Sequence, residues 1–448
     1  MQMRKKVIRI HSNMNHILDR TIPPPVCTPQ YKEVPQPACI TLPNGVPLHI
    51  FNDNESDVVR MDFLFSGGRW HQEQPLQALF ANRMLREGTS RFSSEEIAEK
   101  LDYYGAWIEL ACAAEYTYLT FYSLSKYLPQ TLEVLESIIK EPLFPQKELE
   151  VVLGTNLRQF LVNSSKADFL ANRKLTNALF GSDHPAGHIL CEEDYHRITP
   201  DILRAFYDRY YHSANCTLYL AGRADERCLQ LVEKHFGRAP FGKETQGVEK
   251  QTCIPCENSG RIFFIERTGA AQSAVRIGGL SLSQHHPDYL KLRVLVTLFG
   301  GYFGSRLMSN IREEKGYTYG ISANLLPYPA ESVLAISADT ACNNVRPLLH
   351  EVFVEMERLQ NEPVSEEELT RVRNYMLGEM CRSYESVFSL SDAWIFIQVS
   401  GLQKSYFADI PKAIHQVTPA ELQTLAQKYL CKENLKVVVC GEKTEDKL

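Results

Sequence analysis

The chain has 448 residues, of which 44% are hydrophobic, and its formal net charge is -6. This length allows two to four globular domains. The mild acidity offers no basic surface for nucleic acid and no polybasic arm for an anionic membrane. The longest apolar runs, such as 295–299, are too short to cross a bilayer. We therefore expect neither nucleic acid nor a membrane among its partners.

The N-terminal segment is basic over residues 1–9, but no apolar stretch with a cleavage site follows it, so we expect no secretory signal. Either Met1 or Met14 can be the true start, and the sequence leaves this open. Many prolines predict that residues 1–40 form an extended arm. They are Pro23, Pro24, Pro25, Pro29, Pro35 and Pro37.

The chain contains 12 cysteines at irregular spacing. Most lie in apolar runs, as Cys112, Cys216 and Cys440 do, which is typical of buried reduced thiols. The pair Cys253 and Cys256 lies in a polar connector without a second pair, so we interpret it as two incidental linker thiols. These features predict a reducing, cytoplasmic location.

Each half of the chain predicts strands first and helices afterwards. In the first half the predicted strands are 47–51, 58–66, 107–113, 116–122 and 216–221, with helical segments at 76–86, 127–180 and from Thr199. In the second half the predicted strands are 261–266, 273–281, 317–325, 332–337 and 435–440, with helical segments at 287–299, 345–399 and from Thr418. A polar, Lys/Glu-rich run over 237–260 reads as a linker.

The ends of the two halves repeat one pattern at a constant offset of 219 residues. Six identities fall within 24 positions: Thr199/Thr418, Pro200/Pro419, Leu203/Leu422, Tyr210/Tyr429, Asn215/Asn434 and Gly222/Gly441. Glu148 and Leu149 match Glu368 and Leu369 at offset 220. We infer an internal duplication. It predicts an α+β fold with an arm (1–40), a first domain (41–236), a linker (237–260) and a homologous second domain (261–448), each domain a mostly antiparallel sheet covered by helices.

A glycine-rich motif follows the first predicted helix of the second half. It reads Phe299-Gly300-Gly301-Tyr302-Phe303-Gly304-Ser305-Arg306-Leu307 and continues from Ile311-Arg312 to Tyr317-Thr318-Tyr319. No Gly-Lys-Ser/Thr follows, so it is not a phosphate-binding loop. Two tandem α+β halves with this motif resemble the pitrilysin/insulinase metallopeptidases and their mitochondrial processing peptidase relatives, over roughly residues 40–445.

The resemblance implies roles for Arg312 and Tyr319. In that family such a pair reaches across a chamber to a zinc site in the opposite half. Peptide hydrolysis develops negative charge on the scissile carbonyl oxygen, and preorganised donors aimed at it lower the barrier. Taken alone, Arg312 could be a helix-end cation and Tyr319 an ordinary strand aromatic. The glycine and Ser-Arg-Leu context favours the functional interpretation.

The zinc motif of active members, H-x-x-E-H, is absent. Gly88-Thr89 matches the Gly-Thr that follows the motif, and counting back places Leu79 and Arg83 at the two His positions and Asn82 at the Glu position. A leucine has no lone pair, a guanidinium repels a metal, and an amide cannot take a proton from water. The helix expected to carry the third ligand, roughly 151–165, has no Asp or Glu. We therefore predict no metal and no cofactor bound by this chain.

Two other histidine pairs have structural explanations. His184 and His188 have the spacing of a metal pair, but Pro185 and Gly187 between them predict a turn. His285-His286 begins a helix, where surface histidines are common.

The leading hypothesis is a non-catalytic subunit that pairs with a homologous chain bearing H-x-x-E-H around unfolded peptide. The partner would hold Zn²⁺, and this chain would supply Arg312 and Tyr319, so it would be inactive alone. The substrate would add to a sheet edge in the zinc subunit. One alternative is a purely structural or peptide-binding protein of the same fold, like core subunits of the respiratory cytochrome bc complex. Another is an independent hydrolase, for which no Ser, Cys or carboxylate constellation stands out.

Overall fold

The computed structural model describes residues 20–23, 33–243, 254–256 and 259–443. Most of the predicted arm and the centre of the predicted linker lie outside these residues. The end of the arm is described: Val34 is buried, and the carbonyl of Pro35 accepts a hydrogen bond from Trp394 Nε1 at 3.0 Å. The segment that continues beyond Gly237 still packs on the first half, where Phe241 belongs to the core. The core of the first half therefore includes a residue of the predicted linker.

The first half contains a six-stranded sheet. Its strands are β1 (Ala38–Thr41), β2 (Pro47–Asn52), β3 (Val58–Ser66), β4 (Trp107–Cys112), β5 (Tyr116–Leu124) and β6 (Cys216–Gly222), in the order β1-β2-β6-β3-β5-β4. Its helices are α1 (Gln77–Arg83), α2 (Ser94–Tyr104), α3 (Leu128–Lys140), α4 (Gln146–Ser164), α5 (Ala167–Phe180), α6 (Glu192–His196), α7 (Pro200–Tyr210) and α8 (Glu226–Val232). Strands β2 and β6 pair in parallel, and the other pairs are antiparallel.

The second half contains a five-stranded sheet. Its strands are β7 (Ile262–Glu266), β8 (Gln272–Ser281), β9 (Thr318–Pro327), β10 (Ser332–Ala341) and β11 (Lys436–Gly441), in the order β7-β11-β8-β10-β9. Its helices are α9 (Tyr289–Val296), α10 (Val345–Asn361), α11 (Glu366–Arg382), α12 (Val387–Val399), α13 (Tyr406–Gln416) and α14 (Pro419–Tyr429). Strands β7 and β11 pair in parallel. Without β1, the first sheet has the same strand order, which supports the inferred duplication.

The helix start that recurs in both halves has a local cause. At α7 the Thr199 side chain accepts a hydrogen bond from the Ile202 backbone N–H. At α14 Thr418 and Glu421 form a reciprocal capping box. In both helices a proline occupies the first turn, where the backbone N–H groups have no acceptor within the helix, so its missing N–H costs nothing.

Each sheet is covered on both faces, and one cover comes from the other half. Helices of the first half pack on one face of the first sheet, against alternate residues of β3 such as Phe63 and Phe65. The opposite face packs against α12 of the second half, where Leu64 and Tyr219 belong to one cluster with Trp394. In exchange, α5 of the first half packs on β8 and β11 of the second sheet. The predicted sheets covered by helices are therefore found, and one covering helix of each sheet comes from the other half.

Polar contacts reinforce both exchanged helices. Arg60 on β3 binds Asp392 on α12, with Nη2 2.5 Å from Oδ1. Arg276 on β8 donates from Nε to Asn172 Oδ1 on α5 at 2.8 Å. Because each arginine is buried in its sheet, these bonds fix the position of the other half's helix. No helix in the described part of the chain is both long and apolar enough to cross a membrane.

Candidate functional site

Helix α1 carries the three residues that the sequence predicts at the positions of the zinc motif, Leu79, Asn82 and Arg83. Asn82 is buried, and its Nδ2 donates to the Tyr211 hydroxyl at 3.0 Å and to the Tyr118 carbonyl at 3.3 Å. Leu79 packs against the core of the first half. These two side chains therefore support the fold around α1.

Arg83 occupies the second of the histidine positions and faces helix α4. Its Nη1 donates to Asn156 Oδ1, a neutral acceptor on α4. Burial lowers the pKa of Arg83 from its ordinary value, because the charged guanidinium loses water. A hydrogen bond between two side chains thus joins α1 to α4 at one of the predicted zinc-motif positions.

This donor set does not fit zinc. Zinc in proteins is held by Cys, His, Asp or Glu, and its catalytic sites use three such ligands. The described residues contain no group of three or more of these side chains in a metal-binding arrangement. The histidine pair with metal-like spacing forms a turn: His184 Nδ1 accepts from the Ala186 N–H at 3.0 Å, and His188 lies 3.3 Å from Asp194. His286 Nδ1 likewise accepts from the Asp288 N–H ahead of α9.

The glycine-rich segment, defined as residues 299–307, packs closely on strand β9. A Cβ on Gly300 would lie 2.8 Å from the backbone nitrogen of Ala323, so this approach requires glycine. An added Cβ on Gly304 would lie 2.9 Å from the Tyr302 ring, and one on Gly301 would lie 3.3 Å from the Cβ of Thr297.

The end of that segment is anchored to helix α11. Arg306 makes two parallel bonds to Glu368, from Nε at 2.8 Å and from Nη2 at 3.0 Å. Such bidentate pairs are stronger and more directional than single contacts. Ser305 is buried beside it. Gly301, Gly304, Ser305 and Arg306 therefore belong to a segment that is held by its own packing and by the bonds of Arg306 to Glu368.

Arg312 and Tyr319 meet at the start of β9. Arg312 lies in a π-helical turn, Met308–Glu314, and its Nε donates to the Tyr319 carbonyl at 3.0 Å. Its guanidinium also lies 4.7 Å from the ring centroid of Phe303 and 3.8 Å from Glu313. The aromatic partner Phe303 was not predicted as a site residue, although it is an exposed aromatic inside the motif.

Tyr319 points away from the protein, and its side chain is 90% exposed. The register shifts here, because Tyr319 and Gly320 on β9 oppose the single residue Asp339 on β10. Such a bulge redirects a side chain and is common beside functional sites. The phenol hydroxyl and the guanidinium are hydrogen-bond donors that a bound molecule can reach.

Two sequence profiles match the chain. The one described as Insulinase (Peptidase family M16) matches residues 69–193, and the one described as Peptidase M16 inactive domain matches residues 197–376. Together they cover most of the chain. Their boundary falls ahead of α7, inside the first half, and not at the linker.

Related proteins agree with these matches. An uncharacterized zinc protease of Bacillus subtilis is 25% identical over 353 residues, 78% of this chain and 85% of that protein. A Helicobacter pylori protein named non-peptidase homolog is 22% identical over 379 residues, 83% of this chain and 85% of that protein. The structure of a peptidase M16 inactive domain from Pseudomonas fluorescens covers 92% of this chain and 100% of its own, with a TM-score of 0.81 and 22% identity. The chain therefore belongs to the M16 peptidase family, the family of insulinase.

Proposed function

We propose that this chain is the non-catalytic subunit of a two-chain peptidase. It contributes Arg312 and Tyr319 to a zinc site held by a homologous partner that bears H-x-x-E-H. The pair encloses unfolded peptide. The proposal places the complex in the cytoplasm, in line with the absence of disulfide bonds among the described cysteines.

The exposure of Tyr319 carries this proposal. A tyrosine on a strand usually packs its ring against neighbours, whereas this one is 90% exposed at a bulge. Arg312 is held beside it by a backbone carbonyl and by Phe303. Arg312 is therefore a donor held in place and Tyr319 an exposed donor, and both are available to a developing oxyanion. Nothing in the fold of the described residues requires a phenol at this position.

The first half supports the proposal of a partner. Leu79, Asn82 and Arg83 cannot hold zinc, and the bond between Arg83 and Asn156 occupies the space between the two helices. A relative named non-peptidase homolog shows that the family includes proteins described as inactive. When bound to the partner, zinc would supply a nucleophilic water and polarise the scissile carbonyl.

Affinity isolation of the tagged chain from its native cells, followed by mass spectrometry, tests the partnership. We expect a stoichiometric chain of similar length that bears H-x-x-E-H. Recovery of this chain alone, or only with unrelated proteins, would favour the second candidate.

The role of Tyr319 is tested in the reconstituted pair. Tyr319→Phe removes one hydroxyl and should lower kcat by about 10- to 1000-fold with assembly intact. Tyr103→Phe is the matched control, because Tyr103 is 82% exposed on helix α2, away from the motif. Unchanged turnover in the Tyr319 variant would refute the proposed role.

The second candidate is a structural or peptide-binding protein of the same fold. The lack of zinc ligands at Leu79, Asn82 and Arg83 supports this candidate as much as it supports a site shared with a partner. It assigns no purpose to the exposed Arg312/Tyr319 pair, which is why we rank it second.

A further inference from the structure

Strand β9 changes its pattern of burial at the bulge. Two alternate residues of the strand, Ala323 and Ile321, are buried, as the alternation of side chains along a strand requires. If this alternation continued without interruption, the side chain of Tyr319 would lie on the same buried face. Thr318 is buried there instead, and Tyr319 is exposed. The direction of Tyr319 therefore depends on the bulge.

The hydroxyl of Thr318 bonds to both sides of the bulge. Its Oγ1 lies 2.7 Å from the carbonyl oxygen of Asp339, the single residue of β10 that opposes the bulge. The same oxygen accepts a hydrogen bond from the Gly320 backbone N–H at 3.1 Å. These bonds lie where the regular ladder between two strands is interrupted. A valine has nearly the same shape but no hydroxyl, so it can make neither bond.

Arg276 on β8 holds the bulge from the other side of β10. It is buried, and its Nη1 donates to the Ala338 carbonyl and to Asp339 Oδ1, each at 3.0 Å. Its Nε donates to Asn172 Oδ1 on α5 of the first half at 2.8 Å. The donors of a guanidinium have a fixed planar arrangement, so they fix the relative positions of their acceptors. One side chain therefore connects the exchanged helix α5 to the residue that faces the bulge.

The bulge also determines where Arg312 lies. The carbonyl that accepts the bond from Arg312 Nε at 3.0 Å belongs to Tyr319, within the bulge. A shift of the backbone at this residue would therefore move the guanidinium and the phenol together. A change of register by one residue turns a side chain to the opposite face of a sheet. Both donors of the candidate site thus depend on one local irregularity.

We propose that Thr318 and Arg276 are positioning residues that hold the bulge of β9. Through the bulge they direct Tyr319 and Arg312. Through its bond to Asn172, Arg276 also ties the bulge to α5, so the first half takes part in directing the donors of the second half. The inference rests on the proposed function only for its effect on turnover, because the geometry is measurable in the isolated chain.

Nitration of the purified full-length chain by tetranitromethane measures the exposure of Tyr319 without partner or metal. Peptide mapping by mass spectrometry gives the rate at each tyrosine, and Tyr103, which is 82% exposed on α2, is the internal reference. We expect Thr318→Val to slow nitration of Tyr319 relative to Tyr103 by about threefold or more, because a regular register turns the ring toward the core. Thr318→Ser keeps the hydroxyl and should be nitrated as the wild type is.

Two further variants separate the bulge from a general loss of stability. Thr131→Val removes a buried hydroxyl and its bond to a backbone carbonyl on helix α3 of the first half, and should leave nitration of Tyr319 unchanged. Arg276→Lys keeps the charge, but one terminal nitrogen cannot reach the acceptors on α5 and β10 together. It should therefore slow nitration in the same direction as Thr318→Val. Circular dichroism and urea unfolding check that each variant is folded.

The reconstituted pair gives a second measurement. Thr318→Val should lower kcat by about 10- to 100-fold with little change in KM, because misdirected donors lose an interaction that is made only in the transition state. Thr318→Ser should keep kcat within about threefold of the wild-type value. A residue that only stabilised the fold would not produce this split between kcat and KM.

Equal nitration of Tyr319 in the wild type and in Thr318→Val would overturn the proposal. An equal loss in Thr318→Ser would also overturn it, since the hydroxyl would not be responsible. Unchanged nitration in Arg276→Lys would refute the role of Arg276 and the connection to α5. If nitration changes as expected but turnover is unchanged in both Thr318→Val and Tyr319→Phe, only the proposed function fails.

Discussion

At the scale of single residues, Gly300 and Ala323 show how the glycine-rich segment is held. A Cβ on Gly300 would lie 2.6 Å from the Cβ of Ala323 and 2.8 Å from its backbone nitrogen. Neither atom belongs to the flexible end of a side chain. The segment must therefore move away from β9 to accommodate even one methyl group.

Gly300→Ala should lower the free energy of unfolding by about 1–3 kcal/mol, because overpacking displaces the backbone. Gly320→Ala is the matched control, since nothing lies within 4 Å of its added Cβ, and we expect a change below about 1 kcal/mol. Urea unfolding of both variants measures this. If the two variants have the same free energy of unfolding, the segment can move away from β9 without loss of stability.

Glu136 on α3 is the acceptor of a second local network. Its carboxylate lies 2.8 Å from Lys140 Nζ and 3.0 Å from His235 Nδ1. Burial would raise the pKa of Glu136, but the hydrogen bonds from Lys140 and His235 outweigh burial and lower the pKa below 4.5. A carboxyl group with a depressed pKa stabilises the fold above its unfolded pKa, and this contribution is lost as the pH falls through its folded pKa.

Glu136→Gln should therefore lower the free energy of unfolding at pH 7 by about 1–2 kcal/mol. The difference from the wild type should shrink as the pH falls through the depressed pKa of folded Glu136, because the wild-type side chain is then also neutral. Glu133→Gln, on an exposed position of the same helix, should change stability little at either pH. A difference that persists in acid would assign the effect of Glu136 to packing instead of charge.

At the scale of elements, the sequence predicted strands better than helices. The prediction for 58–66 coincides with β3, because alternation of side chains and flanking polar residues marks both ends. The predicted helical stretch 127–180 is in fact three helices, α3, α4 and α5. The first break contains Phe144 at a φ of 55° ahead of Pro145, a conformation that apolar periodicity does not reveal.

The candidate site was predictable in its residues but not in its arrangement. The spacing of Arg312 and Tyr319 identified the pair, yet the bulge that turns Tyr319 outward depends on pairing with β10. Asn156 was missed because a neutral amide gives no signal in sequence, and only the approach of α4 to α1 brings it to Arg83.

The contact between α4 and α1 can be tested by building a metal site across the two helices. Leu79→His, Asn82→Glu and Arg83→His together rebuild H-x-x-E-H on α1 but supply only two metal ligands. Addition of Asn156→Glu supplies a third from α4 and should tighten Zn²⁺ binding by about 100-fold, as measured by calorimetry. If the three- and four-residue variants bind zinc equally, residue 156 does not lie at the third ligand position.

At the scale of the whole molecule, the exchanged helices make the two halves interdependent. Without α12, the first sheet would expose Leu64, Tyr219 and their neighbours to water. The sequence of α12 is apolar on nearly every side, which predicts burial but does not identify the sheet that buries it. This feature could therefore not be derived from periodicity.

The fragment 33–243, expressed alone, should aggregate or show no cooperative unfolding, because it lacks the helix that covers its second face. Co-expression with the fragment 259–443 should restore a folded complex of the two, detected by size-exclusion chromatography and circular dichroism. The intact chain should unfold in one transition. A first fragment that folds alone with a stability near that of the whole chain would contradict this account.

The exchange of α5 and α12 also limits how such a chain can evolve. Each half supplies a helix that covers the sheet of the other half. Deletion or replacement of one half would therefore expose an apolar sheet face of the remaining half. The three positions on α1 are under no such restraint. They lie outside the contacts that α5 and α12 make, so substitutions there leave the exchange of helices between the two halves in place.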